Sequence, residues 1–201
     1  MREFHHDAFR TMPKTFPNQE TRAVFGETRR ILVCGEDNPQ DPRREYALHD
    51  EPAERGVAGH RLRADIFGLS RLTYLSIWRA NLCSPTWSRP HAIERAAELV
   101  IGTGDAHPWN VVIMLGRKVA DAVDAALRRH AKREGAAPAW RDLEPFASTT
   151  LGPGRTLVSI PHPSGRCHLW NDPANYARAR ELLRDVAPAI PWGELETMEM
   201  P

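Results

Sequence analysis

The chain has 201 residues, 41% of them hydrophobic, enough for one domain with a sizeable core. Its formal charge of +1 names no partner through bulk electrostatics, and no apolar run approaches membrane-spanning length. Three scattered cysteines, Cys34, Cys83 and Cys167, fit neither a disulfide framework nor a four-cysteine metal cluster, which points to a reduced, cytoplasmic setting.

Residues 1–28 read as a polar N-terminal extension carrying Pro13 and Pro17. The first apolar run is ILVCG (31–35), followed by the polar loop GEDNPQDP. TYLSIW (73–78) is the second, followed by RANLCSPTW. SRPHAIERAAELV then has the pattern of a helix, with Ser88 as N-cap, Pro90 in the first turn and an apolar stripe of Ala92, Ile93, Ala96, Ala97 and Val100. NVVIML (110–115) is the third run and leads into GRKVADAVDAALRRH, whose stripe is Val119, Val123, Ala126 and Leu127. Residues 134–155 are rich in glycine and proline and read as a long loop. TLVSI (156–160) is the fourth run, and PHPSGRCHLWND follows it. The last helix, predicted from NDPANYARARELLRDV, has Asp172 as cap and Pro173 at its first position; 189–201 read as a frayed tail.

Near-continuous apolar runs are the mark of strands buried on both faces of a parallel sheet. Alternating with helices, they predict an α/β fold for residues 29–188: three layers, α/β/α, around a four-stranded, mainly parallel sheet. Ligands of such sheets bind beyond the carboxyl ends of the strands. The segments expected there carry a carboxylate, amides and a histidine.

The motifs ILVCGEDNP, Asn81 in RANLC, VVIMLGRKVADA and IPHPSGR occur in an order that resembles the uracil-DNA glycosylase superfamily, over about residues 31–187. The resemblance implies that superfamily's fold and a hydrolase activity, cleavage of the bond between a flipped base and its sugar to leave an abasic site in DNA. It also implies roles for particular residues. His162, between Pro161 and Pro163, would stabilise negative charge growing on the departing pyrimidine. Asp37 or Asn38 would position the water; GEDNP holds one residue more than the family's spacing, so both stay open. Gly35, Glu36 and Asn81 would bind the base, the asparagine through its paired donor and acceptor. Tyr46 would stack on it, with Trp87 and Trp109 as competitors. Ser164, Gly165 and Arg166 would hold the DNA strand.

No cofactor and no metal are expected, and the protein should act on DNA as a monomer. Lysines are confined to Lys14, Lys118 and Lys132, and none is expected beside the reactive groups, so lyase chemistry through a Schiff base is not expected. The unusual first loop favours a noncanonical pyrimidine: a hypermodified cytosine, such as the glucosylated hydroxymethylcytosine of phage DNA, ahead of uracil. The corresponding roles are antiviral defence or DNA repair by base excision. A non-catalytic DNA- or nucleotide-binding protein of the same fold and a free nucleoside or nucleotide hydrolase are the alternatives.

Overall fold

The computed structural model describes residues 26, 28, 30–36, 48, 50, 58–84, 86–101, 109–135, 144–151 and 154–193. Three of the apolar runs form strands where the sequence places them: β1 (Ile31–Gly35), β3 (Val111–Leu115) and β5 (Thr156–Ile160). With β2 (Trp78–Asn81) they make a parallel set in the order β2-β1-β3-β5. A fifth strand, β4 (Ala147–Thr150), pairs antiparallel with β5 at the edge. The protein is thus α/β with a five-stranded, mostly parallel sheet rather than a four-stranded one.

Two departures from the sequence expectation have local causes. In the run 73–78, residues up to Ser76 belong to a helix, α2 (Arg71–Ser76), which follows α1 (Ala58–Arg61) and its π-helical continuation Leu62–Phe67. Ser70 caps α2, its Oγ accepting the amide proton of Thr73 at 3.2 Å, and this cap outweighs the strand preference of Thr73, Tyr74 and Ile77. β2 therefore starts only at Trp78 and ends on Asn81. β4 has the sequence ASTT and lies within the segment read as a loop. Its residues alternate between half-buried and exposed, as an edge strand allows, so no apolar run announces it.

Successive residues of a strand face opposite sides of the sheet. On one side Ile31, Val33, Ile113, Val158 and Ile160 pack against Leu62, Phe67 and Tyr74, and against Leu183 of α5 (Ala174–Val186). On the other, Leu32, Cys34, Val112, Met114 and Leu157 pack against α3 (Arg89–Ala96) and α4 (Arg117–Arg133). Helices cover both faces, giving three layers. The expected C-terminal tail is anchored within its described part: Ile190 and Trp192 are each 2% exposed, and the Trp192 ring meets Phe67 edge-on at 5.2 Å. The packed domain extends at least to Gly193. Among the described residues, no helix is long and apolar enough to cross a membrane.

The β1-to-β2 connection runs through α1 and α2 on the first face, whereas the β3-to-β5 connection uses α4 on the second. Because β1 and β3 are neighbours, the chain leaves them in opposite directions. The crevice between their carboxyl ends is the topological switch point, where open α/β sheets bind ligands.

Candidate active site

The carboxyl ends of the four parallel strands bring together Asn81, Gly35 with Glu36, Gly116 and His162. Backbone hydrogen bonds extend the ladder to this edge: Leu82 N–H donates to the Gly35 carbonyl at 3.0 Å, Cys83 N–H to that of Glu36 at 3.0 Å, and Gly116 N–H to that of Ile160 at 2.8 Å. Gly35 is the register partner of Asn81, and the Asn81 Oδ1 occupies the space where a Gly35 Cβ would stand. That oxygen is buried and has no hydrogen-bond partner among the described residues. A buried amide oxygen left unpaired costs free energy, as expected of a group kept for a ligand.

Gly116 closes the row. Its φ of 87° and ψ of 163° belong to a region that essentially only glycine occupies. A Cβ there would lie 3.0 Å from His162 Cβ and 3.5 Å from Glu36 Oε1, so the missing side chain is what lets β1, β3 and the His162 loop converge.

The segment after β5 is held from three sides. Trp170 donates its indole N–H to the His162 carbonyl at 2.9 Å, and Cys167 N–H donates to the Ser164 carbonyl at 3.1 Å. Ser164 N–H donates to His162 Nδ1 at 3.2 Å. An accepting Nδ1 puts the proton of the neutral imidazole on Nε2, making that nitrogen a donor. Trp170 itself is 3% exposed and packs on Tyr176, ring centroids 5.2 Å apart. Beyond the histidine, Gly165 and Arg166 are exposed. Arg61 joins them: its Nη2 donates to the Tyr176 hydroxyl at 3.2 Å, and its Nη1 is 3.7 Å from where a Gly165 Cβ would stand. No motif announces Arg61, because its nearness to Gly165 depends on packing between α1 and α5.

Lys118 overturns one expectation. Its Nζ donates to Glu36 Oε2 at 2.9 Å and lies 5.6 Å from the centre of the Trp87 ring. A lysine therefore does stand at the rim, in the first turn of α4. The aromatic competitors separate as well. Trp87 is at this edge, while Trp109 precedes β3, at the far end of the sheet, with its ring on Trp78 at 5.1 Å and its N–H on the Leu99 carbonyl at 3.0 Å. Trp109 is thereby excluded as a stacking platform for anything bound at the rim. Asp37, Asn38 and Tyr46 lie outside the described residues.

A cavity of about 310 Å³ adjoins the row without coinciding with it. Met114, Gly116, Asp121, Glu144, Ser159 and Pro161 are among its lining residues, which places it on the α4 side of the sheet; His162, Asn81 and Glu36 do not line it. The strand parity of Asn81 and Gly35 with Val33 assigns the amide to the opposite face, whereas Glu36 follows Cys34 and is held by Lys118 on the α4 side; the Glu36 carboxylate and the His162 Cβ both lie beside Gly116 at the edge of the sheet. The rim is marked as a candidate site by its donors and acceptors and not by a hollow. Cys34, just beneath it, is no nucleophile: burial pushes its thiol up to about 12, with a smaller opposing effect from Arg95.

Comparison with protein-family models, with curated proteins and with solved structures finds no match to this chain.

Proposed function

We propose that the protein is a DNA glycosylase: it binds an everted noncanonical pyrimidine at the row Asn81–Gly35–Glu36–Gly116–His162 and hydrolyses the bond to its sugar. The observation that carries this reading is the His162 imidazole. Its Nδ1 accepts a backbone proton from Ser164 at 3.2 Å, fixing an Nε2–H donor at the carboxyl edge of the sheet. Departure of a pyrimidine places negative charge on its carbonyl oxygen while the sugar gains oxocarbenium character. A donor already aimed at that oxygen stabilises the charge without reorganising. Asn81 adds an amide oxygen that has no hydrogen-bond partner among the described residues, and Gly35 leaves room for it. Ser164, Gly165 and Arg166, joined by Arg61, suit the phosphates on either side of the extruded nucleotide. Asp37 and Asn38 follow Glu36 directly and remain the groups proposed to orient the water.

Duplexes carrying uracil, or glycosylated or hydroxymethylated cytosine, test this through alkali-dependent strand scission. The wild-type protein is expected to produce abasic sites in at least one of them. His162→Ala should slow the reaction by a factor on the order of a hundred to a thousand, the size found for loss of one such donor, while leaving DNA affinity intact. The near-neutral charge of +1 favours a second reading, hydrolysis of free nucleosides or nucleotides at the same rim. Release of base from nucleosides but not from any duplex would establish it.

A further inference from the structure

We infer that Glu36, held by Lys118, selects pyrimidines that bear an amino group at position 4. The inference rests on reading the rim as a base pocket and adds to it the chemical class of the base.

Glu36 stands at the switch point between β1 and β3. Its side chain is only 17% exposed, although it belongs to the first residue after a strand. The two carboxylate oxygens have different surroundings. Oε2 receives the ammonium of Lys118 at 2.9 Å, and Oε1 is turned towards Gly116, 3.5 Å from the position its Cβ would take, next to His162. Lys118 reaches Glu36 from the first turn of α4, a helix anchored on the second face of the sheet by Val119, Val123 and Leu127. The lysine thus holds one oxygen of the carboxylate, and the other lies beside Gly116, next to the backbone and Cβ of His162.

A carboxylate oxygen accepts and does not donate. Opposite the exocyclic amine of a cytosine-type base it makes a charge-assisted hydrogen bond; opposite the 4-keto oxygen of a uracil-type base it meets a second acceptor. His162, as a donor, suits the 2-keto oxygen that both classes share. The Asn81 amide can serve either class by turning over, so it does not decide between them. Discrimination then falls to Glu36, by attraction to one class and repulsion of the other. Lys118 is a positioning residue: it touches the carboxylate and not the base.

The experiment measures binding to paired duplexes made unreactive by 2′-fluoroarabino sugars, each pair carrying the same 5-substituent and differing only in amino or keto at position 4. Wild type is expected to favour the amino duplex by about tenfold or more. Glu36→Gln, whose amide can donate to a keto oxygen, should bring the ratio close to one, mainly by tighter keto binding. Lys118→Met keeps the carboxylate and frees it, so it should narrow the ratio partly; Lys118→Arg, which keeps a cation at the same place, should restore it. Melting temperatures near that of wild type establish that the variants are folded. An amino/keto ratio unchanged in Glu36→Gln overturns the inference, as does a wild-type preference for the keto duplex. Release of base from the matching reactive duplexes is scored separately. Discrimination dependent on Glu36 without any release contradicts the glycosylase reading and leaves the base selection standing.

Discussion

Gly116 shows how much of this site depends on a single missing carbon. Its backbone lies where any side chain is strained, and a Cβ there would crowd the His162 Cβ at 3.0 Å. Gly116→Ala is therefore expected to lower stability by about 1–3 kcal/mol, the usual cost of such a conformation, measurable by urea unfolding. It should also move the imidazole, so base release ought to fall more than the loss of folded protein explains. Full activity in a folded Gly116→Ala protein would mean that His162 need not sit where it does. At this scale the sequence was informative in some places and silent in others. Gly35, Asn81 and His162 could be read as neighbours because each ends or follows a strand, and parallel strands bring their ends to one edge. The Lys118–Glu36 contact, across 82 positions, could not: it requires knowing that β1 and β3 are adjacent and that α4 starts beside Glu36. Asp37 and Asn38 are separated neither by the spacing of GEDNP nor by the described geometry.

Among the elements, the corner formed by α1 and α2 is fastened by a buried charge. Asp50 has a side chain only 1% exposed, with His60 Nδ1 at 3.0 Å, Arg63 Nε at 2.7 Å and Arg71 Nε at 4.0 Å. The Arg63 contact is close yet not aligned as a hydrogen bond, so its attraction is mainly Coulombic. Such a group contributes less to net stability than its contacts suggest, because its desolvation offsets them; removing one partner is what costs. Asp50→Ala leaves the Arg63 guanidinium, which is 14% exposed, its hydrogen bond to the Leu69 carbonyl but removes its carboxylate partner, and should destabilise the fold by about 3 kcal/mol in chemical unfolding. A loss below about 1 kcal/mol would show that solvent reaches the cluster and screens it. The elements themselves were legible in proportion to their apolar content. β1, β3 and β5 are unbroken apolar runs buried on both faces, and α4 and α5 carry helical stripes. β2 was misplaced because Thr73, Tyr74 and Ile77 favour strands in isolation, while the Ser70 cap that makes 71–76 helical is a local hydrogen bond. β4 escaped notice because an edge strand with one wet face needs no run of apolar residues. Ile190 and Trp192 looked like a tail, since only the fold provides the pocket near Phe67 that they fill.

Over the whole molecule, two candidate binding regions adjoin at the carboxyl edge of the sheet, with Gly116 common to both. One is the row from Asn81 to His162 at the switch point, flanked by Arg61 and Arg166. The other is the cavity of about 310 Å³ beside α4, whose rim includes Asp121, Asp124 and Glu144. Arg61 and Arg166 outnumber Glu36 at the first, whereas Asp121, Asp124 and Glu144 outnumber Arg117 at the second, so the proposed DNA contact is assigned to the first even though the total charge is only +1. Backbone amide shifts, followed by NMR during titration with a duplex carrying a 2′-fluoroarabino modified pyrimidine, test this placement most directly. The largest changes are expected at Gly35, Glu36, Asn81, Gly116 and the stretch from His162 to Arg166. Changes confined to Ala120–Asp124 and Glu144, with the strand ends unmoved, would contradict it.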